Sequence, residues 1–374
     1  MFGNVSIGCK QQILYCTALA FFIVAAGYAC ESRLVQYKIS SLSHDHEFPN
    51  KRYFCTMKVT DHFKKAKGKT LLSFEILPPL KGGSMESIFK ILDALMEFKP
   101  PFVDVTYHRE EFIYKKRPSG YYEKTAIRKR PGTVGICAAI MHRYGVDAVP
   151  HLICGGFSVE ETENALIDLN FLGINNVLAL RGDARQFEDK FVPEENGHKY
   201  ASDLVKQVVA MNQGHYLDLN IQHGEPTDFC VGIAGYPEKH FEAPNLETDL
   251  HYTKMKMDAG AHYIVTQMFF DNRHYFDYVA RCRAAGIEAP IVPGLKPITK
   301  RYQLTSIPRK FYINFPDDLV KAVMSAKDDD AVRQIGMEWC IAQSKELKEA
   351  GVPCLHYYTM SDFELVQTIA KSVL

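Results

Sequence analysis

The sequence predicts an α/β protein folded as a single (β/α)8 TIM barrel. From Leu71 onward, short β-rich apolar runs alternate with longer segments of helical periodicity, at intervals suited to βα units rather than hairpins. Several runs are apolar on both faces, as parallel strands become when helices cover one side and a barrel interior fills the other. Eight such runs occur in about 300 residues, the number of βα units that closes a barrel.

The runs, in chain order, are Leu71 to Ile76, Phe102 to Tyr107, Val149 to Ile153, Asn176 to Leu180, Phe229 to Ala234, His262 to Met268, Ile291 to Leu295 and Cys354 to Tyr358. The segments between them carry helix signals of their own. Ser158 and Glu161 form a capping box after the third run, and Thr162, Ala165, Leu166, Leu169 and Leu172 recur at helical spacing until Gly173. Leu246 to Ala259 repeats the arrangement, with Gly260 at its C-terminal stop. The connection from Thr106 to Val149 is too long for a simple loop. It is rich in Lys, Arg and Tyr, including Lys115-Lys116-Arg117 and Arg128-Lys129-Arg130, before a helix around Val134 to Arg143. It reads either as a solvated charged loop or as a lid that brings positive charge near an anionic ligand.

Residues 1–56 stand apart. Ile13 to Cys30 is almost wholly apolar, follows Lys10, and has the length of a signal-peptide core or a marginal membrane span. Ala26-Gly27-Tyr28-Ala29-Cys30 hints at a lipoprotein cleavage site, although the bulky Tyr28 makes a poor one. Against export, an amphipathic start at Val59-Thr60-Asp61-His62-Phe63 opens a well-formed domain just after Met57. We therefore expect Met57 to be the physiological start and 57–374 the catalytic domain; finding residues 1–56 by intact mass in protein from its native source would refute this.

Composition narrows the function. Of 374 residues, 47% are hydrophobic and 24% charged, so disorder is excluded. Forty-four basic residues balance forty-four acidic ones, so no global field favours nucleic acid or an anionic membrane, and an anion must be bound locally. Ten cysteines show no CxxC pair and no zinc-site spacing. The six beyond Met57 lie in or beside apolar segments and read as reduced thiols of a cytoplasmic protein. No metal site is expected. A GxGxxG after a strand, a P-loop, a nucleophile elbow and an HExxH are all missing, so a nucleotide cofactor would have to lie on the barrel mouth itself.

A barrel does its chemistry where the βα loops converge, at the C-terminal ends of its strands. Those ends offer Glu75, Thr106 and Tyr107, His151, Arg181-Gly182-Asp183, Tyr236, Gln267, Lys296 and Tyr358. Glu75 is flanked by bulky apolar residues and followed by Pro78-Pro79, which ends the strand; desolvation should raise its pKa toward a general acid's range. The structural alternative is an ion pair with a lysine. Arg181-Gly182-Asp183 is either a turn with its own ion pair or a cation and an anion around a glycine that lets backbone approach a ligand. His151 is equally readable as a core histidine. Gln267, an amide in an apolar strand, needs partners that a ligand ring would supply.

Nine segments occur in an order that matches something specific: Ser73-Phe74-Glu75-Ile76-Leu77-Pro78-Pro79, Val105-Thr106-Tyr107, Pro150-His151-Leu152, Ala179-Leu180-Arg181-Gly182-Asp183, Ala234-Gly235-Tyr236-Pro237-Glu238, Asp258-Ala259-Gly260-Ala261, Thr266-Gln267-Met268-Phe269-Phe270-Asp271, Pro290-Ile291-Val292-Pro293-Gly294 and His356-Tyr357-Tyr358-Thr359. Each is weak alone. Together they closely resemble the bacterial type of methylenetetrahydrofolate reductase over essentially all of 57–374.

That resemblance implies a flavoprotein holding FAD non-covalently at the barrel mouth. It would reduce 5,10-methylenetetrahydrofolate to 5-methyltetrahydrofolate with NAD(P)H, NADH in most bacterial-type members, and so supply methyl groups for methionine synthesis. Carried over by motif, Thr106, Tyr107, His151, Arg181, Gly182, Asp183, Ala201, Tyr236, His240, Ala243, Asp249 and Lys256 would contact FAD, and Gln267 and Gln303 the folate. Hydride would pass through the flavin in ping-pong order. Glu75 would protonate the leaving ring nitrogen, Asp183 would stabilise the developing cation, and Arg181 and Lys256 would answer the pyrophosphate. Tyr252, Met255 and Ile307 depart from the family pattern, as does Met360-Ser361-Asp362, which lacks an arginine suited to a folate carboxylate. The resemblance further implies a homo-oligomer and no inhibition by S-adenosylmethionine, since the chain stops after the eighth unit. The alternatives are a proline-dehydrogenase-like flavin oxidase on the same fold and, from residues 13–30 alone, an exported flavin-free binding protein.

Overall fold

A computed structural model describes residues 56–185, 188–360 and 362–374; the apolar segment 13–30 and its lipoprotein motif lie outside them, as does Ser361. The strands are β1 (Leu71–Ile76), β2 (Phe102–Val105), β3 (Glu111–Lys116), β4 (Tyr122–Ile127), β5 (Asp147–Ile153), β6 (Asn176–Leu180), β7 (Cys230–Gly235), β8 (Tyr263–Thr266), β9 (Ile291–Val292), β10 (Gly294–Leu295) and β11 (Cys354–Tyr358). The helices are α1 (Val59–Ala66), α2 (Met85–Leu95), α3 (Thr133–Tyr144), α4 (Val159–Phe171), α5 (Ala201–Asn212), α6 (Leu246–Asp258), α7 (Asn272–Ala284), α8 (Gln303–Phe311), α9 (Asp317–Ser325), α10 (Asp329–Glu349) and α11 (Phe363–Val373).

All strands but β3 and β4 form one parallel sheet in the order β10-β11-β1-β2-β5-β6-β7-β8-β9. Its two ends are the halves of one strand broken at Pro293. Ile291 and Val292 pair with β8, and Gly294 and Leu295 pair with β11. The ring therefore closes with eight positions, as the eight apolar runs predict.

Side chains alternate across every strand. One set, among them Phe102, Val149, Leu178, Tyr263 and Cys354, packs into the barrel interior; the other, such as Val103, Val177 and Leu355, packs against the surrounding helices. Helix α1 contributes Val59 and Phe63 to the interior cluster. It is fastened there by Asn176, whose side-chain oxygen accepts from the Val59 N–H at 2.9 Å, and by Asp147, 2.6 Å from His62 Nε2. The capping box of α4 is present on both sides, and α6 begins at an Asn245 cap. Helices α8 to α10 enclose a third cluster around Phe270, Ile298 and Leu319, where Trp339 Nε1 donates to the Phe270 carbonyl at 2.9 Å.

The long connection after β2 contains an element that the sequence analysis did not foresee. β3 and β4 pair as an antiparallel hairpin from Glu111↔Ile127 to Lys116↔Tyr122. Part of its charge is answered locally, by Arg117 with Glu123 at the turn and by Lys129, just past β4, with Glu111. Its base is tied to the loop after β1, where the Lys81 N–H donates to the Lys129 carbonyl at 2.7 Å.

Candidate active site

The strand-end residues converge at one mouth in two groups. The first is built by β1, β2 and β5. Glu75 pairs in register with Tyr358 of β11 and Asp104 of β2, so all three stand on neighbouring strands of the ring. The Glu75 side chain retains 13% of its exposure and faces His151, whose Nε2 lies 3.6 Å from Glu75 Oε2. Burial pushes the Glu75 carboxyl up to about 7, against the pull of His151 and Lys296. Burial opposes a charge on His151 too, but Asp104 and Glu75 outweigh it and the ring is held above its ordinary value. Lys296 is drawn down by burial, with Glu75 acting the other way.

Beneath this group the interior is polar where a barrel core is usually apolar. Asp104 and His356 have no exposed surface; His356 Nδ1 lies 2.8 Å from Ser73 Oγ. Sequence reasoning missed both residues. The signal was available: an aspartate inside Phe102-Val103-Asp104-Val105 demands a partner by the same logic that singled out Gln267. Thr106 and Tyr107 follow β2 at the rim, where Arg128 of the hairpin base donates to the Tyr107 hydroxyl at 3.1 Å.

The second group lies on β6, β7 and α6. Arg181 is paired with Glu242. Tyr236 and His240 meet edge to face with ring centres 4.7 Å apart, and Lys256 Nζ stands 5.9 Å from the Tyr236 ring centre while donating to the Ala234 carbonyl at 2.7 Å. Burial draws Lys256 down to about 8 and His240 down to about 4. The buried Asp249 is raised by the same desolvation, which Lys256 opposes. Ala243 is buried in this group, and Ala201 opens α5.

Gly182 has a φ of 85°, in the left-handed region, and a side chain there would meet Ile153 at 3.3 Å. The turn after β6 thus exposes bare backbone beside Arg181. Asp183 points the other way in character: its side chain is 81% exposed and 3.8 Å from Lys310, so nothing desolvates it. Gln267 sits at the end of β8 with its side-chain oxygen accepting from the Met268 N–H at 3.0 Å. Gln303, at the start of α8, accepts from the Thr299 and Lys300 N–H groups at 2.7 and 3.0 Å, which places its amide across the loop after β10. Among the family departures, Tyr252 and Met255 are exposed on α6, Ile307 is buried, and Asp362 is held by Arg333 through two bonds of 2.9 Å.

Sequence reasoning also missed a knot beside the first group. Arg109 and Arg185 share Glu188, at 3.2 and 3.5 Å, and Arg185 also pairs with Glu194, whose carboxylate accepts from the Gly156 N–H at 3.1 Å. It ties together the loops after β2, β5 and β6. Among the described residues, no group of three or more His, Cys, Asp or Glu is arranged to hold a metal ion, and no helix is long and apolar enough to cross a membrane. The six described cysteines are free and buried.

The chain matches the family model for methylenetetrahydrofolate reductase over residues 58–373. It is 34% identical over 317 residues to methylenetetrahydrofolate reductase (NADH) 1 of Arabidopsis thaliana, covering 82% of this chain and 49% of that one. It is 31% identical over 309 residues to the 5,10-methylenetetrahydrofolate reductase of Pectobacterium carotovorum subsp. carotovorum, covering 82% and 91%. The corresponding Escherichia coli protein is 30% identical over 310 residues, covering 83% and 92%. The chain therefore spans about half the length of the plant relative and nearly all of the bacterial ones.

Proposed function

Because the chain belongs to the methylenetetrahydrofolate reductase family, we propose that it reduces 5,10-methylenetetrahydrofolate to 5-methyltetrahydrofolate with NADH, through FAD held at the barrel mouth. The observation that carries this reading is Glu75, a carboxyl raised to about 7 at the end of β1. Opening the five-membered ring of the substrate needs a proton at the leaving nitrogen, and a carboxyl that keeps its proton well above the usual carboxylate range is matched to that task.

The residues present fit FAD. Arg181 and Lys256 supply cations for a diphosphate, the Gly182 turn lets backbone approach it, and the Tyr236–His240 pair with Tyr107 offers flat apolar surface around it. The flavin, when bound, supplies hydride chemistry and lets nicotinamide and folate use one face in turn, the basis of ping-pong order. The protein's own part is to orient and to manage a proton. Glu75 holds that proton until the folate nitrogen takes it; Gln267 and Gln303 present amides to the pterin edge; Asp183 favours the cation that forms as the ring opens. The buried thiols suit a cytoplasmic enzyme, the product would feed methionine synthesis, and a homo-oligomer is part of the same reading.

An anaerobic absorbance titration tests it. NADH is expected to bleach the flavin of the purified protein, and methylenetetrahydrofolate to restore the colour. A colourless protein, or a flavin that proline bleaches and NADH does not, would sink the proposal.

A further inference from the structure

The barrel interior is lined by Phe102, Val149 and Leu178, yet Asp104 stands on β2 among them with no exposed surface. Neither of its carboxylate oxygens has a hydrogen-bond partner among the described residues. A buried carboxylate is unfavourable unless a cation faces it, and an apolar residue of similar size would serve packing as well or better. The group that answers Asp104 is His151. Its Nε2 lies 3.5 Å from Asp104 Oδ2 and 3.6 Å from Glu75 Oε2. One imidazole nitrogen thus faces both a carboxylate sealed in the barrel and a carboxyl at the mouth.

The other titratable groups that face His151 are His356 of β11 and His108 after β2, and burial discourages a charge on both. Lys296, after β10, faces Glu75. The one imidazole that faces both carboxyl groups is therefore the one that carries the cation.

We propose that Asp104 is a positioning residue: from inside the barrel it keeps the His151 ring protonated, and that cation sets the strength of Glu75 as an acid at the mouth. The inference rests on the reading of Glu75 as the proton donor. Burial alone would make Glu75 a reluctant acid; a cation beside it favours the carboxylate left behind. When the proton moves, the Glu75 O–H bond breaks, an N–H bond forms on the substrate ring nitrogen, and the new carboxylate faces imidazolium instead of apolar wall. Asp104 touches neither substrate nor cofactor. Removing its charge acts on Glu75 in two opposed ways: a direct repulsion disappears, and His151 gives up its proton. The second outweighs the first because His151 acts on Glu75 more strongly than Asp104 does, its Nε2 lying 3.6 Å from Glu75 Oε2.

The test uses flavin-loaded protein carrying Asp104→Asn, with Asp104→Ser as a second variant. The His151 titration is followed by NMR on ring-labelled histidine, assigned with His151→Gln. Its midpoint is expected to fall by about one to three pH units. Flavin reduction by NADH should be unchanged, while reoxidation by methylenetetrahydrofolate slows about tenfold and its alkaline limb moves to higher pH. An unmoved His151 midpoint in a folded variant overturns the proposal, as does equal slowing of both half-reactions with the limb fixed. If neither variant folds, the unsubstituted protein decides: a His151 midpoint at or below that of a free histidine overturns it. Should the unsubstituted protein fail to reoxidise with methylenetetrahydrofolate, the functional reading falls, and the His151 midpoint still decides the part played by Asp104.

Discussion

The two sides of the barrel mouth apply one physical lever in opposite directions. On the β1, β2 and β5 side, burial raises an acid, bringing Glu75 up to about 7. On the β6, β7 and α6 side, burial lowers a base, bringing Lys256 down to about 8. The difference lies in what faces each group. Glu75 meets an imidazole whose charge depends on its surroundings, so its proton is adjustable; Lys256 meets a backbone carbonyl and the buried Asp249, so its position is fixed. On the proposed reading, burial at the mouth suits one group to trading a proton and the other to holding an anion.

Substitutions on each side should separate these roles. The largest effect is expected from Glu75→Gln, which should slow folate-dependent reoxidation about a hundredfold or more while NADH still reduces the flavin. Stopped-flow measurement of the two half-reactions decides it, and equal losses would erase the contrast between the sides. Next, Lys256→Met should weaken FAD retention by about tenfold to a hundredfold, read by equilibrium dialysis, and leave the Glu75-dependent step intact at saturating flavin. Gly182→Ala should cost about 1–2 kcal/mol of stability, because alanine is strained at this φ and its methyl group meets Ile153. A urea midpoint equal to that of the unsubstituted chain would show that the turn relaxes freely.

The smallest effect is in the pH dependence of stability, where the two groups act in separate windows. Glu75 is raised in the fold, so its contribution is present below its unfolded value of 4.5 and is lost as pH rises through about 7. Lys256 is lowered, so its contribution is present above 10.5 and is lost as pH falls through about 8. The gain in Tm from Glu75→Gln should therefore grow from pH 5 to pH 8 and then level off; a constant offset would mean that Glu75 is solvated.

What was legible in the sequence follows from the same contrast between buried and exposed surface. Strands apolar on both faces announce themselves, and β1, β6 and β11 match the predicted runs residue for residue. The β3–β4 hairpin did not, because its residues are exposed or half-buried on both faces and leave no alternation to read. Glu75 and the Arg181–Asp183 turn stood out because polar residues at or just past strand ends interrupt apolar runs. His151, Asp104 and His356 are each enclosed within such a run, where a single polar residue does not alter the period; His151 was singled out only as one of two equal readings, and the other two escaped. The Arg109–Glu188–Arg185–Glu194 knot was hidden for another reason: Arg109 is 79 residues from Glu188, and only the closed ring brings its loop against the one that carries the other three.

The break at Pro293 gives the ring a seam. Across it the backbone ladder is two residues long on either side, and side chains complete the stitching: Thr266 Oγ1 accepts from the Gly294 N–H at 3.0 Å and the Tyr358 hydroxyl donates to the Thr266 carbonyl at 2.6 Å. Local opening follows the line of fewest hydrogen bonds. Deuterium should therefore enter at Gly294 and Leu295 before it reaches the amides of β5 or β6, making this seam the place where the breathing of the mouth can be timed.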